Sequence, residues 1–231
     1  SKDLQKIDSI ANWGIDQRAY PGCQILIAKN QEVIYYKTFG HHTYEEKQKV
    51  KSSDLYDIAS ITKIAASVPS MMLLQQQGKV NLDYWLCDYL PSWVDETPYS
   101  HINLREMLAH QAGLKAWIPF YKETLINGEP KFRVYSIVPS ETFPYRVADG
   151  LYIHKDYPDS LLKIILSTPL SPEKDYKYSD LGYFFLKSII EDITKMPLNE
   201  YVAKNFYSSL GMGTTTYLPR AKFPLDRIIP T

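Results

Sequence analysis

With only two cysteines in 231 residues, Cys23 and Cys87, the sequence says little about redox compartment. Both read as buried free thiols, a disulfide between them being the other reading. Neither has a neighbouring histidine to suggest a cysteine nucleophile, and no H-E-x-x-H or C-x-x-C spacing occurs. His41-His42 is the sole adjacent histidine pair, and neighbours on a strand point to opposite faces, which makes a poor chelate. No metal or organic cofactor is expected. Net charge is lacking too. The 26 basic and 26 acidic side chains balance, leaving no electrostatic argument for nucleic acid or an acidic membrane surface. No apolar run approaches the roughly 20 residues of a membrane span. The chain as given opens on Ser1-Lys2-Asp3-Leu4, polar and helical in pattern, without a secretory signal. Aromatic residues make up 13 %, too many for a disordered chain, and the length suffices for a sizeable core.

What is present starts at Ser60-Ile61-Thr62-Lys63, after the strand-like run Leu55 to Ala59 and before an apolar stretch, Ile64 to Leu74, that reads as a buried helix. Residues three apart on a helix share a face with Cβ atoms about 5–6 Å apart, so Lys63 can reach the Ser60 hydroxyl by local geometry alone. A serine alcohol becomes a nucleophile when a base takes its proton, and a lysine of lowered pKa can be that base. The free N–H groups and positive end of the helix are expected to depress Lys63 and to favour an oxyanion. The alternative is an ordinary helix start with Ser60 as its N-cap and Lys63 in solvent.

Two more segments bear on the choice. Leu104 to Leu114, with Leu108-Ala109-His110-Gln111-Ala112-Gly113-Leu114 at its end, reads as a helix capped by Asn103 and stopped by Gly113. Tyr178-Ser179-Asp180-Leu181 forms a polar turn opening a helix from Phe184 to Ile193. In this order the three segments resemble the serine β-lactamase and penicillin-binding-protein superfamily. The nearest branch is that of class C β-lactamases and related D-alanyl-D-alanine carboxypeptidases and esterases. The resemblance runs from about Ile25 to the end of the chain. It implies that Ser60 is acylated, that Lys63 accepts its proton and that Tyr178 shuttles a proton to the leaving group. It also implies a periplasmic or cell-envelope location and a small-molecule or peptidoglycan-derived substrate. Reading Ser179-Asp180-Leu181 as the superfamily's S-D-N motif fails at Leu181. His110 corresponds to a family histidine that is not the base, and the structural role is expected for it over a general-base role.

There are two departures. Asp180 falls where the family has an asparagine that contacts substrate; an amide donates and accepts, whereas an ionised carboxylate only accepts and would hold Lys63 charged. The third family motif, K-T-G or H-x-G, is absent: none of the ten glycines has Lys, His or Arg two residues before it. The 231 residues therefore resemble the first two-thirds of such a domain.

Along the rest of the chain, Leu4, Ile7, Ile10, Ala11 and Ile15 recur at helical spacing. Cys23 to Ala28 and Val33 to Phe39 form a hairpin about Lys29-Asn30-Gln31-Glu32. Pro69 lies inside the helix that Gly78 ends, so a kink or break is expected there. From Lys115 to Pro158 periodicity fades among prolines, while aromatics abound: Trp117, Phe120, Tyr121, Phe132, Tyr135, Phe143, Tyr145, Tyr152 and Tyr157. They fit a surface lobe with its own small core, or aromatic substrate subsites. Helices follow at Asp159 to Leu166 and Leu198 to Leu210.

The expectation is one mixed α/β (α+β) domain of β-lactamase/transpeptidase type, an antiparallel sheet flanked by helices, with residues 64–177 a largely helical subdomain. Only the first hairpin of the sheet is evident, so exposed apolar surface and self-association are expected. The function expected is acyl transfer through acyl-Ser60 on a β-lactam, a D-alanyl peptide or an ester. The other reading is a catalytically impaired pseudoenzyme or accessory domain that binds peptidoglycan-like ligands.

Overall fold

A helix and a hairpin begin the chain. In the computed structural model, which describes residues 2–230, two compact units are formed, Ser1–Ile58 with Leu218–Thr231, and Ala59–Tyr217. In the first unit, α1 (Lys2–Asp16) is followed by β1 (Gly22–Lys29) and β2 (Glu32–Gly40). The strands pair antiparallel with a bulge between Ile27 and Ala28. Asn30 and Gln31 both take positive φ, 52° and 68°, the backbone of a tight hairpin turn whose twist matches the strands. Tyr35 is the one buried residue of β2, and its hydroxyl donates to Asp8 of α1. Lys37 Nζ donates to the other Asp8 oxygen at 2.6 Å.

The opposite face carries Leu26, Ile34 and Tyr36, all exposed, Leu26 by 56 %. A two-stranded sheet with an apolar exposed face is an incomplete sheet. The first unit is closed by the returning C-terminal segment: Leu55 N–H donates to the Arg227 carbonyl at 2.7 Å, and Ile229 N–H to the Leu55 carbonyl at 2.9 Å. That single parallel bridge is all the strand character in the run Leu55 to Ala59, where a strand was expected. β propensity without a ladder partner leaves residues 56–58 irregular.

The second unit is built on helices: α2 (Val68–Gln76), α3 (Leu86–Tyr89), α4 (Pro91–Val94) and α5 (Leu104–Leu108). Five short strands come next, in two small antiparallel sheets: β3 (Leu125–Ile126) with β4 (Glu129–Pro130), and β5 (Tyr135–Ser136), β6 (Tyr145–Ala148) and β7 (Leu151–Ile153) in the order β5-β7-β6. They occupy the region expected to lack regular structure. α6 (Tyr157–Leu166), α7 (Leu181–Thr194) and α8 (Leu198–Val202) complete the unit, α8 running into a π-helical turn at Ala203–Tyr207. Cys23 and Cys87 are free and half-buried, so neither thiol is enclosed to the extent expected.

α7 is the axis of the core. Leu181, Phe185, Leu186, Ile189 and Ile190 are fully buried, on one face at helical spacing. They belong to one cluster with Met71 and Leu74 of α2, Leu104 and Met107 of α5, Leu162 and Ile165 of α6 and Val202 of α8. Full burial of each such side chain stabilises by about 1.5–3 kcal/mol, so this packing dominates the unit. Gly182 permits α7 to lie against α5, since a Cβ there would sit 2.5 Å from Met107 Cγ. Tyr99, also fully buried, anchors the end of α6 by donating to the Ile165 carbonyl at 2.8 Å.

The run Ile64 to Leu74 departs from the expected buried helix. Met71 and Leu74 are inside, but Ile64 is 68 % and Met72 65 % exposed. One face packs and the other is open. Pro69 does not break the helix; the backbone widens into a π turn at Lys63–Ser67 just before it. Proline has no N–H for the carbonyl four residues back, and that carbonyl, of Ala65, accepts the Tyr207 hydroxyl at 2.9 Å. Among the described residues, no helix is long and apolar enough to cross a membrane.

Candidate active site

Ser60 stands in the turn just ahead of the first helical residue, Ile61. Its predecessor Ala59 has φ 43°, a left-handed conformation that costs a β-carbon residue about 1–3 kcal/mol and is characteristic of functional turns. The turn is held by Thr62 N–H donating to the Ala59 carbonyl and Lys63 N–H to the Ser60 carbonyl, both at 3.0 Å. The side chain of Ser60 is thereby left in solvent. Lys63 opens the π turn, a widening that often marks functional positions.

Lys63 Nζ donates to Ser60 Oγ at 3.0 Å and to Asp180 Oδ1 at 2.6 Å. The same ammonium lies over two rings, 4.9 Å from the centroid of Tyr178 and 5.2 Å from that of Tyr183. Ser60, Lys63, Tyr178 and Asp180 thus form one cluster within the second unit. The expected depression of Lys63 does not occur. Burial works to lower its pKa, but the bonds to Asp180 and then to Tyr178 outweigh it, and Lys63 stays above its ordinary 10.5. One turn of helix dipole is weaker than a carboxylate in hydrogen-bond contact. The Tyr178 phenol is pulled below its ordinary 10, first by its bond to Lys63 and then by Ser60. At neutral pH this arrangement favours a charged lysine and a phenol eased toward giving up its proton.

His110 organises the segment that carries Tyr178 and Asp180. The helix expected to run to Gly113 ends at Leu108, and His110 itself turns left-handed at φ 59°. Its carbonyl accepts Lys177 N–H at 2.9 Å, and its Nδ1 accepts Ser179 N–H at 3.1 Å. Its ring lies 4.5 Å from that of Tyr178. The histidine therefore holds the turn at 177–180, beyond the expected role at Gly113. Gly113, at φ 70°, makes a separate contact: its carbonyl accepts Ser171 N–H at 2.8 Å, and a Cβ would sit 2.5 Å from the Ser171 carbonyl oxygen.

Burial, followed by the charge of Lys63, holds His110 below its ordinary 6.5, with Asp180 acting the other way. The unfolded chain therefore takes up this proton first. Stability from His110 is present above about pH 6.5 and is lost as pH falls toward the lower folded value. His110→Asn keeps an acceptor, tolerates positive φ and does not titrate. Its melting temperature is expected to fall less than that of the parent between pH 6.5 and 5. Equal slopes for the two proteins would remove His110 from the pH response.

Two further residues shape the site and are not marked by the motif reading. Ser179, buried, donates to the Lys115 carbonyl at 2.7 Å and accepts Leu181 N–H at 3.1 Å, fixing the entry to α7. A serine two residues before an apolar helical run is the available signal. Tyr183, one turn into α7, supplies the second ring beside Lys63. The aromatic segment divides. Phe120 packs on Phe184 with centroids 5.4 Å apart, and Tyr135 donates to the buried Thr124, whereas Trp117, Tyr121, Phe132 and Tyr145 are exposed. Among the described residues, no group of three His, Cys, Asp or Glu side chains could hold a metal ion.

Comparison with known proteins bears on the family and the fold. The profile of the Beta-lactamase family matches residues 7–230. A protein of Escherichia coli K12 named "Putative D-alanyl-D-alanine carboxypeptidase" is 25 % identical over 237 residues, covering 95 % of this chain and 49 % of its own length. Its namesake in Salmonella gallinarum is 28 % identical over 240 residues, with the same coverages. The chain thus spans about half the length of the curated relatives it matches. Among solved structures, an octameric penicillin-binding protein homologue from Pyrococcus abyssi superposes with a TM-score of 0.71 at 21 % identity, covering 98 % of this chain and 47 % of that one. A class C β-lactamase from Rhodobacter sphaeroides gives 0.60 at 20 % identity, over 88 % and 48 % of the two chains. These likenesses establish the β-lactamase/transpeptidase-like fold. With a family profile matched over almost its whole length, the protein belongs to the Beta-lactamase family.

Proposed function

We propose that this chain carries the nucleophile half of a serine hydrolase that works by acyl transfer through an acyl-Ser60 ester. The observation that carries the reading is the 3.0 Å bond from Lys63 Nζ to Ser60 Oγ, with Tyr178 against the same ammonium. Because Asp180 keeps Lys63 charged, Tyr178 is the better acceptor for the Ser60 proton. Ser60 Oγ attacks a carbonyl carbon as its proton passes to Tyr178 Oη. The bond to the leaving group breaks as Tyr178 returns that proton to it, and water later cleaves the ester. Lys63 acts as a fixed cation that holds Oγ and favours the phenolate form of Tyr178. No step requires a metal or an organic cofactor.

The relatives' names favour D-alanyl peptides, a structural neighbour is a class C β-lactamase, and a simple ester needs only the same attack on a carbonyl carbon. The cell envelope is the location this reading proposes. A steady-state panel on the complete gene product tests it: a penicillin, a D-alanyl-D-alanine peptide and a p-nitrophenyl ester. Turnover of at least one is expected. Saturable binding of the peptide without turnover of any would favour the second reading, an accessory domain for peptidoglycan-like ligands. The 2.6 Å Lys63–Asp180 pair supports that alternative, since a family amide there would leave the lysine freer to titrate.

The open faces of the hairpin and of α2 also favour self-association of the isolated 231-residue chain. Sedimentation velocity is expected to find species larger than 26.7 kDa that diminish on dilution. A single monomeric species at all concentrations would contradict it.

A further inference from the structure

We propose that Asp180 makes this site select acyl donors with a free amine on the carbon beside the reacting carbonyl, over the same donors N-acylated. The inference rests on the acyl-transfer reading and names its substrate class. Lys63 bridges Ser60 Oγ and Asp180 Oδ1, so the carboxylate stands two hydrogen bonds from the nucleophile. The lysine side chain is 14 % exposed and that of the aspartate 46 %, so the carboxylate is the half of the pair that meets an incoming ligand. None of the hydrogen bonds among the described residues reaches its Oδ2.

The backbone beneath Asp180 is fixed. Its N–H donates to the Ala116 carbonyl at 2.8 Å, and the buried Ser179 before it is tied to Lys115 and Leu181. Asp180 also stands at the N-terminal end of the 14-residue α7, where a negative charge is favoured. The site therefore holds a positioned, half-exposed carboxylate acceptor whose Oδ1 is on Lys63.

A carbonyl carbon ready for attack lies about 3–3.5 Å from Oγ, which brings substituents on the next carbon within reach of that carboxylate. An ionised carboxylate can only accept. A protonated amine offers it a charge-assisted bond, while an acylated amine has lost the charge and adds a carbonyl oxygen that meets acceptor with acceptor. The charge of Lys63 opposes a second cation, but it is engaged by Oδ1, and the carboxylate stands between the two. An amide side chain at residue 180 has no such bias, since it donates as readily as it accepts.

The test is a matched pair, alanine p-nitroanilide with its amine free and the same compound N-acetylated, in both enantiomers, near pH 7 on the complete gene product. The free amine is expected to lead by roughly tenfold or more in kcat/KM, the worth of one charge-assisted hydrogen bond. In Asp180→Asn that ratio is expected to fall to near one or to invert. A role exerted only through Lys63 would scale both rates together and leave the ratio unchanged, which would overturn the proposal. So would a parent ratio near one, or one favouring the acetylated compound. If neither anilide is cleaved while a fluorophosphonate labels Ser60, the proposal falls and the acyl-transfer reading stands. If there is no label either, both fall.

Discussion

Ser60→Ala is expected to lower hydrolysis by roughly 10⁴-fold or more, as loss of a covalent nucleophile does. In this site Oγ is the aliphatic hydroxyl oxygen that Lys63 Nζ holds, at 3.0 Å. The fold should not suffer. Ser60 is exposed, outside the core cluster, and Lys63 keeps its 2.6 Å partner Asp180 when Oγ is gone. Unfolding free energy is expected to change by no more than about 0.5 kcal/mol, the range of surface substitutions. Denaturant melts beside the rate measurements separate the two effects. A variant that folds and keeps its activity would place the nucleophile elsewhere.

Tyr178→Phe is expected to lower kcat by about 10²–10⁴, the worth of a general base. The phenyl ring can keep its place beside His110 and Lys63, so the loss falls on proton transfer rather than on architecture. pH profiles assign the titrating group. With the phenol as base, activity rises with pH through the pKa of Tyr178, which lies below its ordinary 10 because of Lys63. Removing the cation in Lys63→Gln should carry this acidic limb upward, toward 10, while lowering the rate. A limb that stays in place would mean that another group titrates. Loss of the basic limb, expected above 10.5 from Lys63 itself, should accompany the same substitution.

The parts of this site that local spacing determines were the parts legible in the sequence. Ser60 and Lys63 meet because three residues of helical turn bring them together, and Asn103 caps α5 as its side chain predicts, accepting Arg105 N–H at 2.9 Å. Both pulls on Lys63 were legible, the helix end lowering its pKa and Asp180 holding it charged, but which of them wins was not. That depends on a carboxylate 117 residues away whose distance, 2.6 Å, only the tertiary fold sets. His110 was readable as structural but its partner was not, because the bond to Ser179 spans 69 residues. Leu55 to Ala59 failed as a strand for the same kind of reason, since strand formation needs a neighbour that sequence pattern does not supply.

The small sheets in the aromatic segment carried a signal that the prolines obscured. Asn127-Gly128 joins β3 to β4 with φ 52° and 85°, and Asp149-Gly150 joins β6 to β7. Both are favoured hairpin dipeptides. The glycines read as breaks when they are turns between strands too short for alternation to show. Exposure on the outer side of α2 and of the π turn before it lay beyond reach for a different reason. Ile64 and Met72 have the composition of core residues, and only the positions of neighbouring elements decide that they are not.

The central claim is a covalent ester on one named oxygen, and the mass of the trapped protein tests it most directly. The complete gene product is incubated with a fluorescent penicillin and separately with a fluorophosphonate, then digested and its adduct located by mass spectrometry. The expected result is one added group per chain on the peptide that contains Ser60, absent from Ser60→Ala. An adduct on another residue, or none in a folded protein that turns over substrate, would contradict the acyl-Ser60 mechanism.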